Sequence, residues 1–490
     1  MVRYLLVVAI LGLISASSQA QNINDALRYS RNFDVGSARY NAMGGAFGAL
    51  GGDPSVIHSN PAGLAVFKRN EISFTPSIFL QQSNTSYLNS EVTDGVNNFN
   101  FGHLSYTSVD NKNVASGVLN STWQVSYNRT NNLHSQTVFQ GDNFETSILD
   151  GYFNELDQNL IPIEEINQFA TLNTGLAWET FLIDTNMINN GANYEYYVNL
   201  PLENYEAFQR KEIQTSGSQG AFNIAYSGNY NNRLLFGGNL TISTLNYAQI
   251  STYTEDYPTE DTLNRMQLVE EFDNDGVGIG AILGLIYRIN DSYRVGVSYH
   301  TPITYSITER FESQMQSEFR GSVGTIEATS GIFENTYSVK TPWRLQFSGA
   351  AILGKQGLVS VEYEIVDYSN MRLEAVDFSY DSENNFIARV AQVAHNFRMG
   401  GEARLSNFAI RGGYRFNMNP YQSDFSDVAS HQHAFSAGGG FRKAGFYADL
   451  SYVFLTGRNQ VYLYDPAFSQ PATNNYRENR LSASIGFRWL

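Results

Sequence analysis

The chain has no cysteine in 490 residues. That absence excludes disulfides, thiol nucleophiles and cysteine-held metals together. Proline is scarce, with 11 residues, and basic residues are outnumbered by acidic ones, 31 to 47, for a formal charge of −16. So acidic a chain excludes nucleic acid as an expected partner. Long apolar runs are missing too. The longest, Tyr4–Ile14, is too short to cross a bilayer as a helix. It lies behind Arg3 and ahead of Ser15-Ala16-Ser17-Ser18-Gln19-Ala20, the form of a secretory signal peptide over residues 1–20, cut most simply after Ala20. Gln21 follows that cut, so a lipoprotein anchor is not expected.

What the chain has in abundance is aromatics, 31 Tyr and 32 Phe. Mean hydropathy is nonetheless −0.29, so apolar residues are interleaved with polar ones. From Glu71 onward, fourteen segments alternate with a period of two. Their expected cores are 71–85, 99–111, 119–130, 213–230, 233–254, 269–289, 293–313, 333–353, 357–376, 392–406, 407–419, 431–443, 444–464 and 476–490. In the last, Leu481, Ala483, Ile485, Phe487 and Trp489 share one face and Ser482, Ser484, Gly486 and Arg488 the other. A soluble β-sandwich alternates as well, but the connections separate the two readings. Tight turns near Asn231-Asn232, Asn290-Asp291, Gly354–Gly357, Ser406-Asn407 and Lys443-Ala444 alternate with long loops. That pattern, with an even strand number, predicts an all-β, transmembrane antiparallel β-barrel of about 14 strands. The expected division is a signal peptide at 1–20, a small N-terminal hatch at 21–70 and an outer-membrane barrel at 71–490, with a long outer-loop insertion at 142–210.

Ahead of the first strand, Arg39–Leu64 reads RYNAMGGAFGALGGDPSVIHSNPAGL. Gly44, Gly45, Gly48, Gly51 and Gly52 allow tight turns and close packing. Asn60 is placed as an N-cap with Pro61 at the first helical position, starting one short helix through Leu64 and Phe67. The segment resembles the hatch of the FadL/TodX family through Gly44-Gly45-Ala46, Asp53-Pro54-Ser55 and Asn60-Pro61-Ala62-Gly63-Leu64. Tyr299-His300-Thr301-Pro302, Thr341-Pro342-Trp343-Arg344, Val366-Asp367-Tyr368-Ser369, Phe397-Arg398-Met399-Gly400-Gly401 and Ile410-Arg411-Gly412-Gly413-Tyr414 resemble later strands of that family. The resemblance implies a monomeric barrel of the bacterial outer membrane, closed by a hatch and exposed to membrane lipid and lipopolysaccharide. It implies a channel for passive uptake of hydrophobic or amphipathic small molecules, long-chain fatty acids or aromatic hydrocarbons among them, by hatch movement and sideways exit through the wall. One departure stands out: the family's helical cover comes from the third and fourth outer loops, whereas the insertion here falls in the second.

The resemblance makes Gly44, Gly45, Asp53, Asn60, Pro61 and Ala62 the hatch and transport candidates. The presumed lumen faces carry Arg288, Arg294, Arg344, Arg398, Arg404, Arg411, Arg415 and Arg488 against Glu362, Glu364, Glu402 and Asp449. Arginine pairs carboxylates bidentately, so two readings compete for Arg344, Arg398, Arg411, Arg415 and Glu362. These groups brace the wall and hold the hatch, for example through Asp53, or some of the arginines attract an anionic head group. Bracing is expected for Arg415. Within 142–210, Ile148–Leu160 and a segment opened by Pro162 and stopped by Gly175 are spaced as amphipathic helices. The twelve acids and one base from Asp142 to Arg210 form a solvated surface, or a surface for divalent cations among lipopolysaccharide phosphates.

Nothing points to an enzyme, a metal or another cofactor. Gly276, Gly278, Gly280 and Gly284 sit in a period-two pattern with no phosphate-binding helix after them. Glycine there leaves room for the hatch or for curvature. His431 and His433 have no carboxylate partners nearby, and no G-x-S-x-G is present. Two alternatives to the channel remain: a surface adhesin or receptor using the barrel as anchor, and a general porin.

Overall fold

The computed structural model describes residues 16–33, 35–188, 193–200, 206–258 and 262–490. Most of the expected signal peptide, residues 1–15, lies outside the described residues.

Fourteen wall strands close into one antiparallel barrel. The first six are Asn70–Tyr87, Ser90–Asn111, Val118–Asn132 (continued by Ser135–Asn143), Ala207–Tyr230, Leu234–Asp256 and Leu263–Arg288. Strands seven to nine are each in two pieces: Tyr293–His300 with Thr304–Phe319, Phe333–Lys340 with Arg344–Leu353, and Gly357–Asp367 with Arg372–Glu374. The last five are Val393–Leu405, Phe408–Asn417, Gln432–Lys443, Phe446–Tyr462 and Pro471–Trp489. Pairing of Asn70 with Trp489 through to Ser86 with Thr473 closes the ring, which leaves no sheet edge in lipid. The tight turns are built as hairpins require, with Asn231 and Asn232 both left-handed at φ 52° and 54°.

Strand six shows where the bilayer lies. Val277, Ile279, Leu283, Leu285 and Tyr287 are all exposed on its outward face, and Asp275, Asp273 and Glu271 continue that face above them. Eleven residues from Val277 to Tyr287 match the roughly 9–11 that one tilted span needs. The outer boundary therefore falls between Asp275 and Val277. Strands three to eight rise beyond it and carry the insertion.

That insertion packs its apolar side inward as a roof. Leu149, Leu156, Ile161, Ile166, Leu176, Leu182 and Ile183 join Tyr253, Tyr257, Met266 and Met315 of the raised strands in one buried cluster. Its first helix, Ile148–Gln158, has a capping box of Ser147 and Asp150. The second helical segment differs from expectation. It breaks after Phe169, and Gly175 lies inside the next helix, Leu172–Glu179, instead of ending it. Ala170 has already left the helix in extended geometry, so the chain restarts at Thr171 and runs on to Thr180. A hairpin, Ile183–Ile188 with Asn193–Val198, was not legible as strands. A second cluster fills the lumen below the roof: Ile23, Ala26, Leu27 and Tyr29 of the helix Ala16–Ser30 pack on Tyr305, Tyr337, Met371 and Ile387.

Replacing Leu283 by arginine puts a charge on the lipid face and is expected to destabilise the barrel by about 2–4 kcal/mol. Denaturant titration of vesicle-folded protein measures this, and the parent should show heat-modifiable migration on a gel.

Candidate functional site

The hatch is a chain of three capped turns. Ser37 caps the short helix Ala38–Ala42 by accepting from Tyr40 N at 3.1 Å. Asp53 caps the 3₁₀ turn Pro54–His58, accepting from Ser55 N at 3.0 Å and from the Ser37 hydroxyl at 2.8 Å. Asn60 caps a second 3₁₀ turn, Pro61–Val66, through Ala62 N at 3.0 Å. The expected short helix is thus 3₁₀, as its single-turn length favours. Gly44 and Gly45 adopt φ of +63° and +78°, where a side chain would be strained. From Ala38 to Ala65 every residue but Gly52 is buried.

The wall receives these turns on bare backbone. Around Asn60-Pro61-Ala62, a methyl on Gly284 would overlap the Asn60 amide oxygen. One on Gly237 would sit 2.6 Å from Ala62 N, and one on Gly296 2.6 Å from Gly48 O. On the opposite side Gly400 and Gly413 face Met43 and Gly44, and Gly438 faces the Ala42 methyl. Asn60 Nδ2 then donates to Gly48 O at 2.8 Å and to the wall carbonyls Leu285 O and Val297 O at 3.0 and 3.3 Å. One side chain both caps its turn and fastens the hatch to strands six and seven.

Charge is arranged differently from the expectation that wall arginines reach Asp53. The hatch supplies the base. Arg39 Nε donates to Glu402 at 2.7 Å, and its Nη1 lies 3.8 Å from Asp53, all three side chains being buried. Burial weighs against the Arg39 guanidinium, but Glu402 and then Asp53 outweigh it and raise its pKa above the ordinary arginine value. The wall supplies acids held by its own arginines: Arg411 bonds Glu402 at 2.8 Å and Asp449 at 2.6 Å, and Arg398 bonds Glu362 at 3.0 Å. Glu362 also accepts from Gly48 N of the hatch at 3.0 Å. The expectation failed because Asp53 is already engaged in capping, whereas Arg39 is the one arginine or lysine in Arg39–Leu64. That lone arginine was the legible signal.

Three wall arginines touch the N-terminal segment through carbonyls. Arg415 Nε donates to Gly44 O at 3.4 Å, Arg294 to Leu50 O at 2.8 Å, and Arg344 to Ser30 O. The structure therefore gathers Gly44, Asn60, Glu362, Arg398, Arg411 and Arg415 around the hatch, while Arg344 lies higher, beside the N-terminal helix. His431 and His433 are elsewhere, against Asn419 N and the Tyr414 hydroxyl. No cluster of three or more metal-ligating side chains occurs among the described residues.

Strand three leaves the wall above the hatch. Its ladder with strand two ends at the pair His103–Asn128, yet strand two continues to Ser90, paired with strand one. The upper piece, Ser135–Asn143, instead lies against lumen-facing side chains of strand one, with Thr137 Oγ1 3.2 Å from Ser83 Oγ and Val138 O 2.5 Å from Thr85 Oγ1. Along the edge of strand three that has parted from strand two, Phe33 N donates to Thr130 O at 2.9 Å and Val35 N to Arg129 O at 3.0 Å. Asn98 and Asn132 close the gap above with a pair of amide hydrogen bonds of 2.9 and 3.2 Å.

This closed barrel with an inward-bent third strand and an internal hatch aligns with solved structures along nearly its whole length. A Pseudomonas aeruginosa FadL homologue matches with a TM-score of 0.56 at 11% identity, over 93% of this chain and 99% of that one. The chain has the FadL fold. The Pseudomonas putida toluene transporter TodX matches with a TM-score of 0.52 at 11% identity, over 94% and 100% of the two chains. A TodX deltaS2S3 mutant, described as a monoaromatic hydrocarbon channel, matches at 0.53 and 12%, over 93% and 100%. No protein-family model and no curated protein sequence matches the chain. Within the FadL fold, this chain roofs its lumen with the second outer loop.

Two substitutions test the hatch. Asn60→Ala removes a cap worth ~1 kcal/mol together with the wall contacts, and is expected to raise leak of small polar dyes from proteoliposomes while insertion stays normal. Arg39→Leu leaves Glu402 and Arg411 in place and should loosen the hatch more, since breaking a buried ion pair costs about 3–5 kcal/mol; protease access to residues 38–66 reads it.

Proposed function

We propose that the protein is an outer-membrane channel for passive uptake of hydrophobic or amphipathic small molecules, with the hatch as its gate and the gap beside strand three as its exit. The observation that carries this is the pairing of Phe33 and Val35 with the free edge of strand three. A wall opening that the chain's own N-terminal segment covers with two backbone hydrogen bonds is cheap to uncover, since a net backbone bond contributes only about 0.5–1.5 kcal/mol. Phe99, Phe101 and Leu104 are exposed on the outward face of strand two beside that opening. A solute leaving there enters lipid, not water, so apolar surface stays buried along the path at about 25 cal/mol per Å².

Two of the neighbours are described as a toluene transporter and a monoaromatic hydrocarbon channel, and their fold supports a hydrophobic cargo here. The hatch and transport roles of Gly44, Gly45, Asp53, Asn60, Pro61 and Ala62 belong to this proposal. So does the bracing role of Arg398, Arg411, Arg415 and Glu362, which face hatch or wall partners. A general porin fits poorly with a lumen occupied by buried residues.

The chain's lack of cysteine makes the test clean. An Asn98→Cys/Asn132→Cys disulfide should block uptake of a labelled fatty acid or of toluene, and reductant should restore it. Uptake unchanged by the disulfide removes the strand-three exit; a co-purifying amphiphile found by lipid mass spectrometry supports the cargo class.

A further inference from the structure

We propose that the wall carries a second portal, a proline seam across strands seven and eight in the outer leaflet, where a single-chain amphiphile exchanges between bilayer and lumen. This rests on the transport reading above. It concerns strands seven and eight, four and five strands round the barrel from strand three.

The seam begins in the register. His300 pairs with Arg344 below it and Thr304 with Lys340 above it, which sets Pro302 opposite Pro342. Neither residue has an N–H, so this pair can donate no ladder bond at all. Threonine hydroxyls stand in at both flanks. Ala281 N donates to Thr301 Oγ1 and Ile303 N to Thr341 Oγ1, each at 2.9 Å. Each is matched by one backbone bond in return, Thr301 N to Ala281 O and Thr341 N to Ile303 O, also at 2.9 Å. On strand six, Ile282 faces His300 and Ile279 faces Thr304, so strand seven carries one extra residue and its outward face changes from Tyr299 to Thr304. Strand nine breaks at the same level, in the turn Tyr368–Asn370. Three neighbouring strands thus give up their ladder along one line.

Depth makes that costly. Gly280 and Ala281 lie inside the apolar band that runs from Val277 to Tyr287, in its outer half. Irregular backbone at membrane depth is tolerated where it is buried in protein or lines a cavity. A cavity is there: about 50 Å³, touched by Gly280, Ala281, Thr301, Ile303, Thr341 and Pro342. Gly280 carries no side chain there, and Ile303 fills the space, its Cγ1 lying 2.7 Å from where a Gly280 Cβ would stand. Outside, Arg372–Glu374 pairs with Ser338–Lys340 just above the seam, and the loop that follows leaves Val376 97% and Phe378 56% exposed. Apolar side chains left bare beside the outer boundary suit contact with acyl chains.

The cavity's size and chemistry choose the ligand. At about 50 Å³ it is far below the ~300–1,000 Å³ of a whole-ligand pocket. It takes an end group only, with the rest of the molecule in lipid. Arg344, His300 and Tyr305 also line it, and they suit a hydrogen-bonding or anionic head better than a hydrocarbon.

The test is photo-crosslinking of the full-length protein in phosphatidylcholine vesicles with a stearic acid that carries a diazirine near its carboxyl end. Labelling of Ile303, Thr341 and Pro342, behind the wall, is expected alongside lipid-facing Tyr299. A Thr304→Cys/Lys340→Cys disulfide, one pair above the seam, should reduce labelling of the three inner residues to background and spare Tyr299, with reductant reversing the loss. Pro302→Ala/Pro342→Ala, which restores two donors to the ladder, should do the same without a crosslink. Labelling confined to Tyr299 in the parent, or inner labelling that survives both variants, overturns the portal and leaves the seam a bend in the wall. Because the readout is position of labelling, it is independent of uptake: loss of uptake in the Asn98→Cys/Asn132→Cys protein with inner labelling intact separates the two exits.

Discussion

Inside a bilayer every backbone N–H and C=O must find its partner within the protein. The rest of this structure follows from how that requirement is met, and from the two places where it is met unusually. The ring closes through the pairing of the first and last strands, so no edge meets lipid. Where strand three bends inward, Phe33 and Val35 take over the vacated bonds. Where Pro302 faces Pro342, threonine hydroxyls take over. In both places a few hydrogen bonds from outside the regular ladder replace it.

The hatch depends on a related constraint, the cost of burying charge. Arg39, Glu402, Arg411 and Asp449 are all buried, and each is held by an opposite charge within 2.9 Å. Removing water from such a cluster is expensive, and mutual pairing with good geometry offsets it. The cluster therefore specifies a position more than it adds stability. Glycines in the wall complete the specification, since a methyl on Gly284, Gly400 or Gly413 would overlap the hatch backbone or its cap.

Roof and hatch divide the lumen into levels. The insertion's apolar cluster closes the outer end, the N-terminal helix fills the middle, and the capped turns fill the periplasmic half. Both wall irregularities lie at the level between helix and hatch, and the cavity there touches Thr130 of strand three as well as Thr341 of strand eight.

The order of elements was legible from the sequence because it depends on local rules. A period of two marks a strand with one face in lipid, as Leu481 to Trp489 shows, and asparagine pairs or glycine mark tight turns. Asn60-Pro61 announced its capped turn because capping is decided within three residues. What tertiary structure alone decided are the partners across the lumen. Nothing local tells whether Asp53 meets a wall arginine or caps its own turn, or that Arg39 reaches Glu402, 363 residues away. The prolines at 302 and 342 were visible from the start, but that they face one another is a matter of register, and register exists only once the strands pair.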